Sequence, residues 1–151
     1  MDDDLFAQVD DIVWSLGGDE VEGLRSQVRR YGIKLWVGPV KPTRTHFEAQ
    51  VRGRQHGDGR KGVALEIGFH AEERDEGKNE AALARLLAAE PTWRRRLGKE
   101  ATAGPFFGAE HWRRLSDAWL DPDLSGDDVA FEIAGRLVDY VQALAPLLDR
   151  G

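Results

Sequence analysis

Apolar residues recur at helical spacing in two stretches near the start of the chain. The first stretch follows an acidic run at residues 2–4 and ends at Gly17; the second begins after Asp19 and ends at Gly32. Acidic first turns, a capping box such as Asp19 with Glu22, and C-terminal glycines are typical helix boundaries. The pattern therefore predicts two amphipathic helices. Their apolar positions are Leu5, Val9, Ile12, Val13 and Leu16 in the first, and Val21, Leu24, Val28 and Tyr31 in the second.

The pattern then changes to alternation between apolar and polar residues, which is typical of strands with one buried face. It predicts three strands, at residues 33–37, 45–53 and 62–70. Residues 55–61 are rich in glycine and polar side chains, as expected for a hairpin loop between the second and third strands. The predicted apolar faces are Ile33, Leu35 and Val37; Phe47, Ala49 and Val51; and Val63, Leu65, Ile67 and Phe69.

The second half of the chain is predicted to be mainly helical. Asn79 can cap a helix with Leu83, Leu86 and Leu87 on one face, and Pro91 suits the first turn of a continuation that ends at Gly98. Residues 99–108 fit either a loop or a fourth strand. Residues 109–120 are predicted to form another helix, because its apolar positions share one helical face: Trp112, Leu115 and Trp119.

The last segment has the longest helical stripe, and either Ser125 or Asp127 can cap it. Grouped helices at both ends and sequential strands between them predict one α+β domain over residues 1–151. We expect a three- to four-stranded antiparallel meander packed on one face by the N- and C-terminal helices, as a two-layer sandwich. The stripe of the last helix is Ala130, Ile133, Leu137, Tyr140, Val141, Leu144 and Leu148.

The amino-acid composition limits the kinds of fold and functional site that the chain can form. The chain has 151 residues, 41% of them hydrophobic, which is ordinary for a single globular domain. It has no cysteine, which excludes disulfides, zinc–thiolate sites, thiol nucleophiles and iron–sulfur clusters. No run of 18 apolar residues predicts a membrane span, and the acidic start is unlike a secretory leader. We therefore expect a cytoplasmic protein, and the excess of Arg over Lys is typical of a GC-rich bacterial genome.

The net charge of −6 divides unevenly along the chain. Residues 1–22 carry eight acids and no bases, and residues 121–151 carry seven acids and two bases. The middle segment, 23–120, has twelve acids and nineteen bases and is therefore positive. The negative net charge argues against extensive binding of nucleic acid over the surface. The basic middle segment is nevertheless compatible with an anionic partner that binds locally.

The polar face of the predicted hairpin is where side chains with catalytic potential converge. If residues 57–59 form the loop, His46 lies opposite His70 and Gln50 opposite Glu66. Glu48 is then diagonal to His70, and two imidazoles with one carboxylate can share a divalent ion such as zinc or manganese. In this arrangement His46, Glu48 and His70 are the candidate metal ligands, and Glu66 is the candidate general base.

A longer loop over residues 57–61 gives a second register, in which Glu48 faces His70, Arg52 faces Glu66 and His46 faces Glu72. Such complementary pairs contribute about 0.2–1 kcal/mol each and would explain the residues without any cofactor. Familiar motifs give no support for an enzyme. His46 with Glu48, and His70 with Glu72, each form only the His-x-Glu half of a zinc-deaminase signature. There is no His-Glu-x-x-His and no phosphate-binding glycine loop.

These observations favour a protein-interaction or ligand-binding module without catalysis and without a cofactor. Five tryptophans are generous for this length, and Trp36 beside the polar face resembles an interface anchor unless a terminal helix covers it. The predicted binding residues are Trp36, Gln50, Arg52 and Arg54, and a protein partner or self-association into a dimer is expected. The alternative is a metal-dependent hydrolase built on His46, Glu48 and His70; a third hypothesis is single-stranded nucleic-acid binding by the basic middle.

Overall fold

The computed structural model describes residues 1–53, 62–106 and 108–148 and confirms the α+β class. The predicted hairpin loop and Arg54 therefore lie outside the described residues. A short 3-10 turn, Gly18–Glu20, follows the first helix. The helices are α1 (Leu5–Ser15), α2 (Glu76–Leu87), α3 (Glu90–Leu97) and α4 (Val129–Leu148). The strands are β1 (Leu24–Arg29), β2 (Gly32–Val37), β3 (Thr45–Arg52), β4 (Ala64–Ala71), β5 (Thr102–Phe106) and β6 (Ala109–Leu120).

The described strands form one open antiparallel sheet in the order β1-β2-β3-β4-β6-β5. The prediction of three to four strands is therefore wrong, because the sheet has six. The three predicted strands are its centre, and the undecided segment 99–108 contains β5. The two extra strands, β1 and β6, come from segments predicted as helices.

The second predicted helix is wrong because its residues pair with β2. Leu24, Ser26 and Val28 alternate along β1, and Val28 lies opposite Ile33. β1 is an edge strand, and Val28 and Tyr31 are 41% and 52% exposed, so half of the apparent helical stripe is not buried. The spacing of its apolar residues matched a helix by coincidence, and pairing with a neighbouring strand outweighed local propensity.

The helix predicted over residues 109–120 is also wrong, because this segment is β6. Alternation along it was hidden by Asp117, a charged residue on the face that packs against the helices. The carboxylate of Asp117 accepts bonds from Arg136 at 2.7 and 2.9 Å and from the Tyr140 hydroxyl at 2.6 Å. Both partners belong to α4, so the acid is satisfied only after the chain has folded.

The apolar core lies between the helices and one face of the sheet, where α4 packs across β3 and β4 and against α1. Helix α2 begins one turn earlier than predicted, because Asp75 rather than Asn79 caps it by accepting from the Gly77 amide at 2.9 Å. Asn79 is instead fully buried and donates to the carbonyls of Glu73 and His111. None of the described helices has the length and apolar character needed to cross a bilayer.

The opposite face of the sheet is polar and yet buried. All eight residues of β4 are buried, so both faces of this strand are covered. Gly68 allows β6 to approach closely, because a Cβ at this position would lie 2.6 Å from the Ser116 Cα. On the polar face, the Phe106 ring lies 4.7 Å from the His70 ring. Of the polar side chains predicted on this face, His46, Glu48, Glu66 and His70 are therefore buried, whereas Gln50, Arg52 and Glu72 are partly exposed.

Candidate metal centre

The pairing of β3 with β4 decides between the two predicted registers. His46 lies opposite His70, and Gln50 lies opposite Glu66. This is the register that brings the two imidazoles together; the alternative, with Glu48 opposite His70 and Arg52 opposite Glu66, is wrong. The two rings are 5.6 Å apart between centroids.

Four side chains meet at this point: His46, Glu48, His70 and Glu72. One ligand atom from each lies within 4.8 Å of all the others. The Nε2 of His46 is 2.9 Å from Glu48 Oε1 and 3.7 Å from Glu72 Oε1. The Nδ1 of His70 is 3.5 Å from Glu48 Oε1 and 3.3 Å from Glu72 Oε2. A divalent ion with N and O ligands at about 2.0–2.2 Å separates neighbouring ligand atoms by roughly 3–3.5 Å. The four imidazole–carboxylate distances, 2.9–3.7 Å, are close to this spacing, and a shift of a side chain would bring the widest pairs within it.

Each imidazole is held in place by a hydrogen bond from the ring nitrogen that faces away from the other side chains of the cluster. The Nδ1 of His46 donates to the Thr43 carbonyl at 2.8 Å, because a carbonyl can only accept. The Nε2 of His70 is 2.7 Å from Glu66 Oε2 and donates to that carboxylate. Each ring therefore presents its other nitrogen to Glu48 and Glu72. This is the arrangement by which proteins fix the tautomer of metal-binding histidines.

The inner nitrogen of His70 has no hydrogen-bond partner among the described residues, although the side chain is fully buried. Its nearest charged neighbours are the two carboxylate oxygens at 3.3 and 3.5 Å. A cation held between them would satisfy this nitrogen and neutralise both carboxylates.

A second layer of polar groups holds Glu66 in place behind His70. Its Oε1 accepts from Arg52 at 3.2 Å and from Gln50 at 3.3 Å. Burial opposes ionisation of Glu66, but the positive His70, a hydrogen bond from Ser116 and the Arg52 charge outweigh burial and lower its pKa to about 2. Glu66 is thus a fixed negative charge on one side of His70, and the other three residues of the cluster lie on the opposite side.

The charges of the metal-free cluster are strongly interdependent. Burial disfavours a charged Glu48, but the hydrogen bond from His46 and the contact with the positive His70 outweigh burial and lower the pKa of Glu48 well below its usual range. Burial likewise disfavours a charged His70, but the charge of Glu66 and the contacts with the Glu48 and Glu72 carboxylates raise the pKa of His70 well above its usual value. A proton on His70 supplies the positive charge between the carboxylates of this cluster. A divalent cation would therefore have to displace that proton in order to bind here.

The structure places the other predicted site residues in different environments. Gln50 and Arg52 bind Glu66, and the Arg52 guanidinium stacks 4.3 Å from the centre of the Phe106 ring. Trp36 is only 3% exposed, its Nε1 donates to the Pro39 carbonyl at 2.7 Å, and it lines a small cavity of about 130 Å³ beside Leu148 of α4. Trp36 is thus covered, which was the second of the two alternatives for this residue.

Sequence reasoning left one ligand candidate unrecognised. Glu72 follows β4 directly; the sequence places it in a His-x-Glu pair with His70 and opposite His46 in the second register, but not among the predicted ligands. Its alternation with His70 places it on the same side of the extended chain, so a His-x-Glu pattern at the strand end was the available signal. The Thr43 carbonyl, which orients His46, has no signal in side-chain patterns.

Comparison with known proteins identifies no relative of this chain: no family model, no curated protein and no solved structure matches it. We therefore infer a function from the geometry of the His46–Glu48–His70–Glu72 cluster, which we call the metal cluster.

Proposed function

We propose that this protein binds one divalent transition-metal ion in the metal cluster and uses it for hydrolysis of a ligand in the adjoining cavity. The observation that supports this proposal most strongly is the orientation of the two imidazoles. Each ring gives its outer nitrogen to an acceptor and turns its inner nitrogen toward the same two carboxylates. Two imidazoles with two carboxylates form a ligand set suited to zinc and manganese.

A purely structural ion-pair network explains this geometry less well. Such a network should give its buried members well-aligned hydrogen bonds, whereas the contacts of His70 Nδ1 with Glu48 and Glu72, at 3.5 and 3.3 Å, lack hydrogen-bond geometry. The interaction module favoured by the sequence also loses an argument, because Trp36 is buried. A protein partner stays a prediction, now without an anchor residue on the polar face.

Access to the cluster favours catalysis over a closed structural site. His46 and Glu72 also line a cavity of about 410 Å³ that opens to solvent, so a ligand can reach the ion from that side. A divalent ion lowers the pKa of a bound water and thereby supplies a nucleophile near neutral pH. Glu66 lies behind His70, and we assign to it the positioning of that imidazole rather than proton transfer.

Calorimetric titration of tag-free, chelator-treated protein with Zn²⁺ and Mn²⁺ tests the proposal. We expect one equivalent to bind with a dissociation constant in the micromolar range or below. Glu72→Gln should weaken binding at least tenfold, because it removes a charged ligand whose side chain is 16% exposed and tolerates the change.

Glu73→Gln is the matched control: it makes the same change one residue further on, at a side chain that forms no ion pair with the described residues. This control should bind metal as the wild-type protein does. The absence of binding at micromolar metal would contradict the proposal, and so would equal affinities for the two variants.

A further inference from the structure

The cavity beside the metal cluster has a strongly basic wall. It encloses about 410 Å³, which is within the range of small-ligand sites. His46 and Glu72 belong to its lining and connect it to the cluster. Four cationic side chains complete the wall, and we call them the basic rim: Arg29, Lys34, Lys41 and Arg44.

The basic rim is not neutralised within the described part of the chain. None of its four side chains forms an ion pair with a described residue, whereas basic residues elsewhere do so. Arg96 pairs with Asp139, Arg113 with Glu76 and Glu80, and Arg136 with Asp117. Within the described part of the chain, the Arg29 guanidinium hydrogen-bonds only to the amide oxygen of Gln27. Among the residues lining the cavity, Glu72 is the single acid, so the concavity is electropositive and attracts anions.

The backbone ties the basic rim to the metal cluster. Lys41 and Arg44 lie on the connection between β2 and β3, which also supplies the Thr43 carbonyl that orients His46. The amide of Glu72 donates to the Arg44 carbonyl at 2.8 Å. Lys34 lies opposite Glu48 in the β2–β3 pairing. An anion held by the rim would therefore lie beside the ion in the cluster.

We propose that the basic rim binds the phosphate group of a small phosphate ester, which is the substrate of the metal centre; this assignment rests on the proposed function. A phosphate carries up to two negative charges and several acceptor oxygens, which suit a rim of two guanidinium and two ammonium groups. In the reaction, water adds to phosphorus through its oxygen, and the bond between phosphorus and the alcohol oxygen breaks. The alcohol oxygen takes up the proton lost by the water, so phosphate and the free alcohol are formed without an oxidant or reductant.

The first experiment uses inorganic phosphate as the probe and metal-free protein as the receptor. Binding is followed by NMR through the indole N–H of Trp112, which lines the same cavity and is assigned with Trp112→Phe. We expect saturable binding that weakens with added salt. The double variant Lys41→Gln/Arg44→Gln should weaken binding at least tenfold. Both positions are exposed, so folding is not at risk.

The matched control is Lys78→Gln/Arg95→Gln, which removes the same two charge types from exposed positions on α2 and α3. It should bind phosphate within twofold of wild type. Equal weakening by both double variants, or none by either, would overturn the proposal. Succinate, a dianion with carboxylates instead of phosphate, should bind at least fivefold more weakly; tighter binding of succinate would overturn the assignment to phosphate.

The second experiment separates the failure of this inference from the failure of the proposed function. Protein loaded with one equivalent of Mn²⁺ is assayed with p-nitrophenyl phosphate, and the rim variant should raise KM at least tenfold with kcat nearly unchanged. Rim-dependent phosphate binding without metal binding or hydrolysis would contradict the proposed function and support the anion site. Metal binding with phosphate affinity independent of the rim would contradict the anion site and leave the metal centre standing.

Discussion

The substitution Glu66→Gln tests whether the layer behind the metal cluster positions His70. It keeps the size of the side chain and removes the negative charge 2.7 Å from His70 Nε2. The amide also becomes a poorer partner for Arg52, which donates to Glu66 Oε1 at 3.2 Å. His70 therefore loses its charged acceptor while the four metal-cluster residues stay unchanged.

Loss of such an outer partner weakens metal binding by about 10- to 100-fold in known sites. This corresponds to roughly 1.4–2.7 kcal/mol of binding free energy at 25 °C. We expect the upper half of this range, because Glu66 is fully buried and its charge is not screened by solvent. Calorimetric titration of the tag-free protein with Zn²⁺ measures the change directly.

A buried carboxylate elsewhere provides the control. Asp117→Asn also removes a buried charge, but on the helix-facing side of the sheet, where Asp117 binds Arg136 and Tyr140. It should destabilise the fold and leave the zinc affinity of the folded protein within about twofold of wild type. Unchanged zinc affinity in Glu66→Gln, or an equal loss in both variants, would refute the positioning role of Glu66.

Four further predictions concern the protonation of His70, the Asp117 bridge and the close approach at Gly68. Metal affinity should rise with pH, and binding should release about one proton, because the raised pKa of His70 keeps this side chain protonated in the metal-free fold. Calorimetry in buffers of different ionisation enthalpy measures the number of protons released. Metal binding without proton release would contradict the prediction. In the metal-free protein, the proton on His70 stabilises the fold, and this contribution is complete below the ordinary histidine pKa. It is lost as the pH rises through the pKa of His70 in the folded protein. Urea unfolding should therefore show a free energy of unfolding that declines over that pH range in wild type but not in His70→Gln. Asp117→Asn should cost about 3–5 kcal/mol of unfolding free energy, since it leaves Arg136 poorly paired, and a loss under 1 kcal/mol in urea titrations would be inconsistent with the buried bridge. Gly68→Ala should lower the melting temperature and zinc affinity together, whereas Gly104→Ala, with open space at its Cβ, should spare zinc affinity.

The sequence was sufficient for the centre of the sheet because β2, β3 and β4 alternate clearly and pack one apolar face on helices. It could not choose the hairpin register, since a three-residue and a five-residue loop both kept Phe47 and Ile67 on the apolar face. The choice depends on backbone pairing of His46 with His70, which side-chain patterning does not encode.

The burial of the polar face could not be predicted, because it depends on β5 and β6. The helical spacing of Trp112, Leu115 and Trp119 concealed β6, and the charge of Asp117 broke its alternation. Once that segment was assigned to a helix, nothing remained to cover His70. Phe106 reaches His70 because β5 forms a hairpin with β6 and β6 pairs with the distant β4, and side-chain patterning does not encode that long-range pairing.

The acidic ends of the chain do not neutralise its basic middle segment in the folded structure. The acids of residues 1–22 form no ion pairs with described basic residues, and one bridge, Arg96 with Asp139, joins the basic middle to an acid of the last helix. The acidic ends therefore leave the basic rim unneutralised. The positive middle that the sequence showed is concentrated, in part, around the mouth of the metal cluster.

Anomalous diffraction at the zinc edge, from crystals of the tag-free protein loaded with one equivalent of zinc, tests the metal centre most directly. We predict one strong peak about 2.0–2.2 Å from His46 Nε2 and His70 Nδ1, with Glu48 and Glu72 completing its protein ligands. A peak at the exposed His111 alone, or no peak between His46 and His70, would contradict the proposed metal centre.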